Sequence, residues 1–151
     1  MHEFETIEDA VTTALTGLKT DGTVRILEPY AGQLGEADLR NMTHLFPCLY
    51  VICQGMEIAW SGSLSEQTVT VLLLVGSRNL RGSVAAARGD MGHGGPGAYD
   101  VLEAARLLLH RKAVVSGWSA LRAVREAPVV YAPETGVCVY EAAYEVRRKA
   151  L

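Results

Sequence analysis

The chain has 151 residues, 49% of them apolar and 21% charged, with a formal net charge of −3. That length and composition suit one packed domain, spanning residues 1–151, that needs neither metal nor disulfide to fold, and they exclude disordered and fibrous classes. The negative balance excludes an overall attraction to nucleic acid or to anionic lipid, and leaves room only for a local basic patch.

The predicted elements begin with an amphipathic helix. Ile7, Ala10, Val11, Ala14, Leu15 and Leu18 recur at three-and-four spacing, Thr6 and Asp9 resemble a capping box, and Asp21-Gly22 supplies the turn that ends the helix. Thr23–Leu27 reads as a strand stopped by Pro29, and Glu36–Met42, with acids before its base, as a short helix closed by Phe46-Pro47. Cys48–Trp60 and Gln67–Val75, separated by the turn-rich Ser61–Ser65, read as an antiparallel hairpin. Val69–Val75 is apolar on both faces at its end, which predicts a central strand. Cys48 and Cys53 lie five apart on the first of these strands and point to opposite faces. With Cys138 they make an odd set without CxxC, which reads as buried free thiols.

A second apolar stripe, Val101, Leu102, Ala105, Leu108 and Leu109, predicts a helix from Ala98 to about His110. Short strands are expected at Ser119–Arg125 and Val129–Tyr131 and a longer one at Val137–Arg147, where Tyr140, Ala142, Tyr144 and Val146 alternate with more polar residues. The order of elements is not a βα alternation. It predicts an α+β fold, a small mostly antiparallel sheet with helices packed on one face.

Between Gly76 and Gly97 fall seven glycines, and the segment opens onto a helix. Such a loop can cradle phosphate with its backbone N–H groups, so a phosphate- or nucleotide-binding enzyme is one reading. However, the segment has no GxxxxGK[ST] and no lysine lies between Lys19 and Lys112. The favoured reading is a flexible surface loop over residues 76–97. Its Arg78, Arg81 and Arg88 form a modest basic cluster suited to nucleic acid or to an acidic neighbouring subunit, and they are the candidate interface residues, with solvated arginines that keep the loop soluble as the equal alternative. No stacking aromatics accompany them, which argues against single-stranded nucleic acid. Asp90 and His93 are two potential metal ligands, but the remaining histidines are scattered and no HxxxH occurs. Ser116-Gly117-Trp118-Ser119-Ala120 lacks the first glycine of GxSxG. No catalytic residue, cofactor or metal is therefore expected. Glu57, Glu141 and Glu145 should face solvent by alternation, and Trp60, Trp118, Tyr140 and Tyr144 read as core or half-core, with an interface as the other reading. The start, Met1-His2-Glu3-Phe4-Glu5, lacks the pattern of a signal peptide, and the aliphatic run Val71–Val75 is too short to cross a bilayer. A cytoplasmic protein is expected.

Four stretches taken in order carry a family resemblance: Glu5-Thr6-Ile7-Glu8-Asp9-Ala10, Ser77-Arg78-Asn79-Leu80-Arg81-Gly82, Gly97-Ala98-Tyr99-Asp100-Val101-Leu102-Glu103-Ala104 and Val139-Tyr140-Glu141-Ala142-Ala143-Tyr144-Glu145-Val146. Spread over nearly the whole chain, they resemble the Mu-like prophage tail proteins assigned as tail terminators. The resemblance implies a mixed sheet flanked by helices, assembled as a hexameric ring that caps a finished tail tube, stops tube and sheath growth and presents a surface to the head–tail connector. It implies assembly in the bacterial cytoplasm, a final place in the virion tail, and no catalytic residues. Another tail-completion or head–tail connector subunit is the neighbouring alternative.

Overall fold

In the computed structural model, residues 1–31, 34, 46–79, 82–89, 95–132 and 136–150 are described. The elements are α1 (Glu3–Ala14), α2 (Thr16–Thr20), β1 (Ile26–Pro29), β2 (Cys48–Ser61), β3 (Leu64–Arg78), α3 (Ser83–Arg88), α4 (Ala98–Leu109), β4 (Arg122–Ala132) and β5 (Val137–Ala150). The strands form one sheet in the order β1-β2-β3-β5-β4. Only the β1–β2 contact is parallel, so the sheet is mostly antiparallel and the fold is α+β, as the order of elements predicts.

β3 is the middle strand, paired along its length with β2 on one side and β5 on the other. Alternation decides what each face covers. Leu49, Val51 and Cys53 of β2, Val69 to Val75 in steps of two on β3, and Cys138 to Val146 in the same steps on β5 point to one side. There they meet Ile7 and Val11 of α1 and Val101, Ala105 and Leu109 of α4 in a single core. Burial of each of the valine, leucine and isoleucine side chains among them contributes about 1.5–3 kcal/mol. The opposite face carries a smaller cluster in which Cys48, Tyr50, Val137 and Val139 pack with Leu34 and Phe46.

Several boundaries depart from the sequence reading. The first helix is two: α1 is capped by His2, whose Nδ1 accepts from the Phe4 N–H (3.1 Å), not by Thr6, and Leu15 separates it from α2. β1 starts at Ile26 because Asp21 holds the N–H (2.9 Å) and hydroxyl (2.6 Å) of Thr23 in a turn. The two strands expected at 119–125 and 129–131 are one, β4, in which the register slips between Ala123 and Arg125 and again between Pro128 and Val130. Proline is tolerated there because β4 is an edge strand. The short helix expected at Glu36–Met42 lies outside the described residues.

Candidate functional site

The segment expected as one flexible loop, 76–97, is not a continuous loop. Gly76 to Arg78 complete β3, Ser83–Arg88 forms α3, and Ala86 and Ala87 are buried in the main core. Among its described glycines, Gly76, Gly89 and Gly97 serve close packing, while Gly82 and Gly95 have open space around them. A Cβ on Gly76 would meet the Cys48 Sγ at 2.7 Å and the Phe46 ring at 2.9 Å. Gly89 has φ +86°, and a Cβ there would meet the Asp100 carboxylate at 2.5 Å. That carboxylate accepts the Gly97 N–H (2.8 Å) at the start of α4. The helix end that would receive a phosphate therefore already holds an anion of its own, with the Gly89 backbone pressed against it.

Of the three candidate arginines, Arg78 ends β3, is half-buried and is engaged by a partner within the chain. Arg88 ends α3 and is exposed. Arg81 lies outside the described residues, as do Asp90 and His93. Among the described residues no group of three or more His, Cys, Asp or Glu side chains is placed to hold a metal ion, and no helix is long and apolar enough to cross a membrane. The three cysteines are free and buried, and burial raises each thiol to about 12. A thiol so raised is a poor nucleophile.

The basic C-terminal end of β5 is partly spoken for. The Arg148 guanidinium donates to Gln67 (2.6 Å) and Glu3 (2.8 Å) and lies 4.4 Å from the centre of the Trp118 ring, so it ties α1, β3 and the approach to β4 together. Glu3, half-buried, is held below the usual carboxylate range by its backbone hydrogen bond and then by Arg148. Glu141 and Glu145 are half-buried and paired with Arg125 (3.7 Å) and Arg122 (2.9 Å), while Glu57 is exposed. Between α4 and β4 an open depression of about 350 Å³ is lined by Tyr99, Leu102, Glu103, Arg106, Glu126 and Tyr140. Its polar groups satisfy one another: the Tyr99 and Tyr140 hydroxyls are 3.1 Å apart, and Arg106 pairs with Glu126 at 2.8 Å. Neither pair sets a nucleophile beside a base.

The two outer strands differ in kind. β4 is interrupted by its two register slips, contains Pro128, and carries Arg122 and Arg125, the devices that blunt a sheet edge. On the other side β1 covers β2 only from Cys48 to Val51, and the Glu8 carboxylate then takes the Cys53 N–H at 2.8 Å. From Gln54 to Ser61 no described residue pairs with the outer edge of β2. On that stretch Ile58 is 50% and Trp60 67% exposed, so Trp60 is not the core residue that its place on a strand suggested. Tyr140 and Tyr144 are core, and Trp118 lies half-buried under Arg148. The sequence held the signal for the open edge, since Met56, Ile58 and Trp60 alternate with Glu57 and Ala59, but not which residues β1 would cover.

Fold and surface together define a small α+β domain whose distinctive features, among the described residues, are strand edges and charged ends. The family model described as Bacteriophage Mu, Gp37 matches residues 3–147, and the chain belongs to that bacteriophage family. None of the curated proteins compared with the chain matches it.

Proposed function

We propose that the protein is a structural tail-assembly subunit, the tail terminator, which forms a hexameric ring on the end of the tail tube and offers the surface that joins the head. What supports this reading above all is membership of a Mu phage family over residues 3–147, on a domain with no catalytic constellation among the described residues. A closed ring needs two unlike, complementary surfaces on each subunit, because head-to-tail contacts repeat until the rotation closes. Acidic Glu5 and Asp9 on α1 and basic Arg88 on α3 are unlike groups of that sort, and Arg78 and Arg81 flank the same segment. The partners are further copies of the chain, the tube and sheath proteins and the head–tail connector. The working place is the bacterial cytoplasm during assembly and then the virion tail.

The test is deletion of the gene from a lysogen, followed by electron microscopy of induced particles. Tails of uncontrolled length without heads are the expected outcome. Headless tails of normal length point instead to a connector role, and normal head-bearing particles overturn the proposal altogether.

A further inference from the structure

An outer strand edge with free backbone groups and exposed apolar side chains is a template for a further strand, and natural proteins rarely leave one unprotected. Beyond its one register slip at Cys53/Gly55, the outer edge of β2 between Gly55 and Ser61 has no proline, no arginine or lysine, a single charge at Glu57, and no covering segment among the described residues. We propose that this edge takes the same edge of a second copy of the chain, antiparallel, about a two-fold axis through Ile58, so that two sheets become one.

The pattern of side chains selects both the occupant and the register. After the slip between Cys53 and Gly55, Met56, Ile58 and Trp60 lie on the helix-covered face, across from Val69, Gln67 and Ser65 of β3, and Glu57 and Ala59 lie on the other. Pairing about Ile58 sets Ile58 against Ile58 and Met56 against Trp60 twice, three apolar pairs on one face. It sets Glu57 against Ala59 on the other, so no like charges meet. Cross-strand pairs of this sort are the unit of sheet stability. Moving the axis to Glu57 places two carboxylates face to face and leaves Trp60 opposite Gln54. A shift by a single residue turns the apolar row of one copy toward the polar row of the other. The sequence Met56-Glu57-Ile58-Ala59-Trp60 thus complements itself in one register. The contact is short, and the pair forms in a concentration-dependent equilibrium.

This contact closes on itself, builds no ring, and does not rest on the tail-terminator reading. Its test is made on the purified protein in solution, apart from any tail. Sedimentation of the full chain over a range of concentrations is expected to show a monomer–dimer equilibrium. Ile58→Lys, which sets two ammonium groups opposite each other at an exposed site, should weaken it at least roughly tenfold, which corresponds to about 1.4 kcal/mol, with unchanged circular dichroism. Ile58→Cys should form a covalent dimer under mild oxidation, while Val129→Cys on the β4 edge should not, and the three native thiols are buried and stay out of the reaction. A wild-type chain that stays monomeric at its highest soluble concentration overturns the proposal. So does a dimer indifferent to Ile58→Lys, or cross-linking at residue 129 in place of 58. Protection of the 54–61 amides only when purified tube protein is added also overturns it, and assigns the edge to that protein.

Discussion

The thiols and the glycines are where single residues decide most. Each cysteine is raised from 9.0 to about 12 by burial. A group with a raised folded-state value contributes stability that is fully present below its unfolded value and is lost as pH rises toward the folded one. Stability should therefore hold up to about pH 9 and fall between there and about pH 12, measured as the urea midpoint at stepped pH. Cys138→Ala should flatten part of that fall. At neutral pH none of the thiols should react with an aromatic disulfide reagent until the chain unfolds. Glycines give a matched pair. Gly89→Ala adds a methyl group at φ +86° against Asp100 and should cost about 1–3 kcal/mol. Gly17→Ala, in α2 with nothing within 4 Å of the added atom, should gain up to about 1 kcal/mol. Urea titrations of both variants check the contrast, and equal effects would contradict the packing role given to Gly89.

Among the elements, α1 owes its place to more than its apolar stripe. Its N-terminal turn is fixed to the sheet through Glu3–Arg148 and its middle through Glu8 on the Cys53 N–H. Arg148→Ala removes the hydrogen bonds to Glu3 and Gln67 and the stacking on Trp118 at once. The expected loss is about 1–2 kcal/mol, with faster amide exchange over the first turns of α1 and little change in β3. Uniform loss of protection would show that Arg148 supports the whole sheet instead. The strongly patterned elements, α4 and the β2–β3 hairpin, were legible in the sequence because period and burial agree there, Val69–Val75 being the middle of the sheet as its apolar run implied. Gly76–Gly97 was not. Val84 to Ala87 carries too short a pattern to separate a helix from a loop, and its burial depends on residues far along the chain. The join across Pro128 was hidden for a related reason, since proline is permitted only by the strand's position at the edge, a fact of topology.

At the scale of the whole molecule, the proposed tail-terminator role requires exposed charge to matter for assembly and little for folding. Arg88→Glu is expected to leave thermal unfolding within about 0.5 kcal/mol of wild type. In a lysogen carrying only that variant it should lower the yield of capped, head-bearing particles. Normal yields would remove Arg88 from the contact surface without touching the family assignment. The candidate surface was only half visible in the sequence: its arginines can be read from composition, whereas the stretch of β2 that no described residue pairs with lies beyond a β1 of only four residues.

The placement of β3 between β2 and β5 also governs when the molecule can form. The hairpin joins neighbours and is expected to close early, whereas the other side of β3 needs β5, as in the pairing of Leu73 with Ala142, with two helices and β4 intervening. Contacts so distant along the chain slow folding, and until they form, an apolar strand has both an unpaired side and an uncovered face. Refolding from urea should accordingly be slower than for a helical protein of this size, and a hairpin-containing species lacking β5 should be the one that aggregates. Val146→Ala, on the late strand, should then speed unfolding more than it slows folding.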